Sequence, residues 1–216
     1  VEMARNEKYW NPALPHLNKV TFKFIGDASA QIAALKAGDI DVIGYIAAPE
    51  QASEMAKDKR FKVFAGTTTG EVIMSTNNKA APFDNRLVRR AMAHAIDRRQ
   101  VVELVMFGYG TPIGSHWSPS TPYYKDLTGR FAYNLEEAKA LLAEAGYGDG
   151  VKITVDSMKT AFNPIMLTIV QQYWKEVGVD LEIGYLDRAA IRQHQGEGSY
   201  DITVSNPTRA EVDLIV

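Results

Sequence analysis

Residues 151–205 read VKITVDSMKTAFNPIMLTIVQQYWKEVGVDLEIGYLDRAAIRQHQGEGSYDITVS, and the order of apolar runs in this stretch decides the fold. Val151 to Val155 reads as a strand. Pro164 to Val177 reads as a helix, because Ile165, Met166, Ile169, Val170, Tyr173 and Trp174 share one side at helical spacing. Val179 to Tyr185, Arg188 to Gln195 and Tyr200 to Val204 continue as strand, helix and strand. Strands that alternate with helices pair in parallel through right-handed crossovers. Loops and helix N-termini then gather at the carboxyl ends of the strands, where such sheets bind ligands. The loops concerned are 156–163 and 205–213.

Upstream, Val20, Phe22 and Phe24 alternate with Thr21 and Lys23, the period of a half-buried strand over Val20 to Ile25. Asp27 is placed to cap a helix whose apolar side is Ile32, Ala33 and Leu35, and Gly38 to end it. Ile40 to Ile43 reads as a second strand, Pro49 as the first turn of another helix, and Phe61 to Phe64 and Glu71 to Thr76 as further strands. Asn85 to Ile96 has the clearest helical period, with Arg86, Arg89, Arg90 and His94 on its solvent side. Asp97 caps a following helix that stops near Gly108. From Gly108 to Tyr133 regularity fails. Trp117, Tyr123, Tyr124 and three prolines there predict a packed surface loop. Asn134 with Glu137 forms a capping box for a helix closed by Gly146. A domain boundary is expected in the region of Pro82 to Arg98.

The chain has 216 residues and no cysteine, which removes disulfides, thiol catalysis and the commonest structural zinc sites. Its net charge of −2 gives no pull on nucleic acid. No run approaches the roughly 18 apolar residues of a membrane span. The chain opens at Val1 without a start methionine and closes on an apolar run, so it is expected to be an interior piece of a longer protein.

Chemical constellations are sparse. Gly108, Gly110 and Gly114 follow a helix with the wrong spacing for a phosphate loop and read as turn glycines. His16, His94, His116 and His194 lie too far apart for a metal site, and only His116, beside Trp117 in the long loop, has a claim on a ligand. Asp39 and Asp41 suit backbone donors rather than acid–base work. No nucleophile elbow occurs. The cluster Arg86, Arg89, Arg90, Arg98 and Arg99 reads as a solvated helix face, and the scattered methionines as core fillers.

Several stretches together resemble the extracellular solute-binding proteins of family 5, the dipeptide, oligopeptide and nickel receptors of ABC importers. They are Asn6-Glu-Lys-Tyr-Trp10, Ala34-Leu-Lys-Ala-Gly-Asp-Ile-Asp-Val-Ile43, the run from Pro82 to Asp97, Ala138-Lys-Ala-Leu-Leu-Ala-Glu-Ala-Gly-Tyr147 and Val177-Gly-Val-Asp180. The resemblance implies an α/β, periplasmic-binding-protein-like two-lobed fold (type II, dipeptide-binding cluster) with only part of it present. Residues 1–90 would supply a portion of the first lobe and 91–216 a portion of the second. The implied function is capture of a peptide-like or other polar solute and its delivery to permease subunits. No catalysis, cofactor, metal or nucleic acid is implied, and no membrane span. The implied location is the periplasm, or the extracellular, membrane-associated position of such a protein in a Gram-positive cell. A sensor domain of the same fold in a transcriptional regulator and an α/β enzyme are the competing readings.

Similarity to the dipeptide binders implies ligand contacts at Thr160, Phe162 and Asn163, and at Ser205, Asn206, Thr208 and Arg209. Those relatives carry a carboxylate-binding arginine where this chain has Thr160 beside Lys159. They carry a tryptophan and an ammonium-binding aspartate in the region where Ser205 and Thr208 stand here. A desolvated ammonium needs a carboxylate partner, so a free dipeptide is disfavoured. Arg209 would favour an anionic or carbonyl-rich ligand, and Asp213 is a possible cation partner.

Overall fold

A computed structural model of the chain describes residues 1–46, 49–66, 68–160 and 162–205. Its contacts divide into two units, Val1–Lys62 and Val63–Val216.

The first unit pairs β1 (Glu2–Ala4) antiparallel with β2 (Lys19–Thr21). Helix α1 (Ala28–Ala37) starts as its sequence requires, with Asp27 Oδ1 accepting from the Ala30 N–H at 2.7 Å, and ends at Gly38, whose φ of 80° is costly for other residues. Helix α2 (Pro49–Lys57) begins on its proline. Two expectations fail here. The strand expected over Val20 to Ile25 stops at Thr21, and Ile40 to Ile43 forms no strand. A strand needs a neighbour for its backbone groups and a layer over its apolar face. Among the described residues of this unit only β1 offers pairing, and Phe22, Phe24 and Val42 are exposed. Phe61 to Phe64 is likewise irregular.

The second unit contains β3 (Ile73–Thr76), α3 (Arg86–His94), α4 (Arg98–Met106), a 3₁₀ turn at Thr128–Phe131, α5 (Leu135–Glu144), β4 (Val151–Ser157), α6 (Asn163–Lys175), β5 (Val179–Tyr185), α7 (Arg188–Glu197) and β6 (Ile202–Ser205). The expected β-α-β-α-β order is present. Strands β4 and β5 pair in parallel from Val151↔Val179 to Ser157↔Tyr185, and β6 joins β4 in parallel at Val155↔Ile202. The sheet has a fourth member, since β3 pairs antiparallel with β6 and gives the order β3-β6-β4-β5. Asn77 ties this edge down by donating from Nδ2 to the carbonyls of Gly198 and Tyr200, both at 3.0 Å. Residues well ahead of Pro82 therefore share the sheet.

Burial on one face explains the order. Ile153, Val155, Leu181, Ile202 and Val204 meet Val88 and Met92 of α3, Leu142 of α5, and Leu167, Val170 and Trp174 of α6 in a continuous core. Trp174 Nε1 donates to the Met92 carbonyl at 3.3 Å, which satisfies the polar edge of a buried indole. Alternate strand positions, such as Lys152, Thr154 and Glu182, face outward and are exposed. Helix α7 attaches on that polar side.

The arginine-rich face departs from its reading. Arg86 and Arg99 are exposed as expected, but Arg98 donates to the carbonyls of Phe131 at 2.9 Å and Ala93 at 3.1 Å, and burial lowers its pKa. Arg89 donates to the carbonyls of Phe83 and Asp84. His94, expected to be solvated, sits edge-on to Phe131 with Nδ1 2.8 Å from the Ala132 carbonyl oxygen. For Arg98 and His94 the cause is the long loop, whose Phe131 and Ala132 carbonyls have no strand to satisfy them. Asn134 caps α5 through the Glu137 N–H at 3.0 Å, but its own N–H donates to the His94 carbonyl in place of the expected reciprocal bond. Gly114 proves to be more than a turn residue: a Cβ there would lie 2.3 Å from the Leu127 carbonyl carbon, so the loop crosses itself where only glycine fits. No helix among the described residues is long and apolar enough to cross a membrane.

Two outcomes follow from this packing. Leu167→Ala removes a fully buried side chain and is expected to cost about 2–5 kcal/mol in chemical denaturation, whereas Ile165→Ala, at an exposed position, should stay within about 0.5 kcal/mol. On the polar face, Lys152 Nζ lies 2.7 Å from Glu182 Oε2, and this hydrogen bond, then the ammonium charge, lower the Glu182 pKa below 4.5. A depressed carboxyl contributes stability above its unfolded pKa and loses it as the pH falls through the folded value; exposure keeps this contribution small. In an NMR titration Glu182 should therefore titrate below 4.5, and Lys152→Met should move it back toward 4.5. A titration that Lys152→Met leaves unmoved would refute the pairing.

Candidate ligand-binding site at the strand ends

Strands β4, β5 and β6 run the same way and end at Ser157, Tyr185 and Ser205. This edge is set by the core, because parallel strands with one buried face have their register fixed by it. Continuing the β4–β6 register from Asp156↔Thr203 brings Ser205 level with the first residue after β4. The segment 158–160 leaves that end, and the chain resumes at Phe162 to enter α6. Thr160, Phe162, Asn163 and Ser205 are thus gathered at one edge of the sheet. Asn206, Thr208 and Arg209, together with Asp213, lie outside the described residues.

The four described positions differ in character. Thr160 is half-buried, and its Oγ1 accepts from the Asn163 N–H at 3.1 Å. Phe162 is half-buried against the core and precedes α6 without giving it a side-chain cap. Asn163 is only 1% exposed, with Nδ2 donating to Ser157 Oγ and to the Met158 carbonyl, each at 3.0 Å. Ser205 is half-buried opposite Ile73 of β3. Around the same edge, Ile165 and Tyr185 are exposed and Lys159 is an exposed cation. The arrangement offers a hydroxyl, an ammonium and apolar side chains to a solute.

Sequence reasoning passed over several polar contacts here. Asp156 Oδ2 lies 2.7 Å from His194 Nδ1 of α7, and Gln195 Nε2 donates to the buried Thr203 hydroxyl at 2.9 Å. Gly184 makes room for the aspartate, since a Cβ there would stand 3.2 Å from Asp156 Oδ1. The available signal was period two: polar residues recur at 152, 154 and 156, and a serine interrupts the apolar positions at 157. His116 is exposed on the long loop. Arg99 and Glu103 of α4 with Tyr124, Asp126 and Thr128 of the loop instead border a cavity of about 380 Å³. Thr128 hydrogen bonds, and then the Arg99 charge, lower the Asp126 pKa. Among the described residues no cluster of His, Asp or Glu is fit to hold a metal.

The family model described as "Bacterial extracellular solute-binding proteins, family 5 Middle" matches residues 1–212. The glutathione-binding protein GsiB of Salmonella typhimurium is 30% identical over 201 residues, which cover 91% of this chain and 39% of that protein. The Escherichia coli K12 GsiB is 29% identical with the same coverage. The chain therefore spans about 39% of the length of these relatives. Among solved structures, the binding protein AgaA of A. tumefaciens in complex with agropinic acid superposes with a TM-score of 0.80 at 27% identity, over 99% of this chain and 44% of that one. NikA of Brucella suis, in complex with Fe(III)-EDTA, has the same fold, with a TM-score of 0.85 at 23% identity over 95% of this chain and 44% of NikA. The mixed α/β architecture is thus that of the periplasmic binding proteins of the dipeptide-binding cluster, partly covered. The chain belongs to the bacterial extracellular solute-binding proteins, family 5.

Proposed function

We propose that this chain is part of an extracytoplasmic receptor that captures a peptide-like or other polar solute between two lobes and passes it to the permease of an ABC importer. The observation that carries the reading is the edge formed by Thr160, Phe162 and Ser205 at the ends of parallel strands, in a chain of this family. Relatives named for glutathione and bound to agropinic acid support a solute rich in carboxylate and amide groups. Lys159 beside Thr160 offers such a ligand an ammonium where the dipeptide binders offer an arginine fork. On this reading residues 1–90 supply a portion of the first lobe and 91–216 a portion of the second.

Binding needs no bond chemistry on this account. A solute that touches both lobes stabilises the closed state by its extra contacts, and the permease reads closure. The site would work in the periplasm or in an extracellular, membrane-associated position, as the family's extracellular character implies.

Native mass spectrometry of the intact receptor as purified should show a retained small solute. Reduced glutathione and a set of tripeptides should raise its thermal midpoint, because a ligand at about 100 times its Kd adds about 2.7 kcal/mol to the folded state. Arg209→Ala should weaken binding of the solute that scores, by about tenfold or more. No retained mass and no shift with any probe would refute the proposal, and unchanged affinity in Arg209→Ala would remove that residue from the site.

A further inference from the structure

The turn between β4 and α6 is organised around a single side chain that is out of reach of solvent. Asn163 is 1% exposed and Ser157 is fully buried. The Asn163 amide donates to Ser157 Oγ and to the Met158 carbonyl at 3.0 Å each, and its backbone N–H donates to Thr160 Oγ1 at 3.1 Å. The Met158 carbonyl also accepts from the Ser157 hydroxyl at 3.1 Å and from the Thr160 N–H at 3.0 Å. The three bonds made by Asn163 tie the strand end and the turn to the helix start, and the other two are local to the turn. They do not cap α6 in the usual way, since Phe162 supplies no side-chain cap and Pro164 has no N–H to be capped.

The count of donors and acceptors is uneven. One carbonyl, Met158, receives three donors although it has two lone pairs, while Asn163 Oδ1 is buried without a hydrogen-bond partner among the described residues. Rotating the amide would not repair this, because it would set Oδ1 about 3.0 Å from the Met158 carbonyl oxygen, one acceptor against another. The orphaned oxygen is what the protein accepts in order to keep both Nδ2 donors pointed at the turn. A buried unpaired acceptor is costly, and an apolar residue of similar size would fill the space without it. The retained amide therefore acts on the conformation of residues 158–160.

We infer that Asn163 is a positioning residue: it does not touch the solute but holds residues 158–160, and with them Thr160, in the shape the ligand meets. The inference rests on the proposed binding edge for its functional meaning, while the latch itself is independent of any ligand. Asn163→Asp keeps the volume and removes both Nδ2 donors. Ser157→Ala removes one of the two acceptors and is the milder change. Thr168→Ala serves as the control, because it loses only a hydroxyl bond to the Pro164 carbonyl within α6, at 2.9 Å.

The test is hydrogen exchange on the ligand-free intact receptor, followed by titration with reduced glutathione. In Asn163→Asp, exchange of the Thr160 amide should rise about tenfold or more while the core amides of β4 and β5 keep their protection. Ser157→Ala should show a smaller rise at the same amide, and Thr168→Ala none. Glutathione affinity should fall in the same order, about tenfold for Asn163→Asp. Unchanged exchange at Thr160 in both loop variants would overturn the inference. So would a uniform rise across the whole sheet, which is the mark of a purely structural residue. If exchange responds as expected but affinity for glutathione is the same in every variant, the positioning role is overturned. Failure of wild-type receptor to bind glutathione or any other probe falls on the proposed function, and the exchange pattern then decides the latch alone.

Discussion

Parallel pairing of β4 with β5 and β6 is the constraint on which the rest depends. Because the three strands share a direction, their carboxyl ends lie along one edge, and the chain must leave that edge each time to enter a helix. The burial of Ile153, Val155, Leu181, Ile202 and Val204 beneath α3, α5 and α6 locks this arrangement. A slip of one residue in β4 would turn Ile153 and Val155 outward and bring Lys152, Thr154 and Asp156 into the core. No such slip is tolerable. The edge where Thr160, Phe162 and Ser205 meet is in this sense a by-product of the core.

The polar face of the same sheet has a different economy. Its cross-strand and sheet-to-helix contacts are charged or hydrogen-bonded pairs, from Lys152–Glu182 to Asp156–His194 and Gln195–Thr203. Asp201 adds to them by accepting from the N–H and hydroxyl of Thr154, at 2.8 and 2.9 Å. Exposed members of this set contribute little to stability, but together they fix where α7 lies over the strand ends. The core supplies the free energy and the polar face supplies position. Within the turn after β4 the two meet, since Ser157 occupies an apolar register position with a hydroxyl that the Asn163 amide requires.

Much of this was legible in the sequence, and the unread parts have a common cause. Helix starts at Asp27, Asn85, Asp97 and Asn134 were readable because a cap is a local bond between neighbours. Strand β5 was readable because its alternation runs for its whole length. What could not be read depends on partners remote in the chain. Strand β3 finds β6 across more than half of the sequence, and the donors of Arg98 find carbonyls of a loop that carries no side-chain signature. The pattern at Phe22 and Phe24 was real, yet alternation states only that a face is suited to burial. It does not supply the partner. Asn163 entered the expected contacts through the family resemblance alone, and its burial had no local signal, because asparagine is mostly an exposed residue.

The relatives extend beyond this chain, and its exposed apolar residues at Trp10, Phe24 and Val42 are of the kind that a further layer covers. The central claim concerns the edge that is present: solute binds where the parallel strands end. A crystal structure of the intact receptor with its retained solute tests this most directly. The account predicts solute atoms in hydrogen-bond or van der Waals contact with Thr160 or Phe162, and with the segment that begins at Ser205. A solute lodged at the opposite strand ends, near Val151 and Val179, or in the cavity between α4 and the long loop, would contradict it.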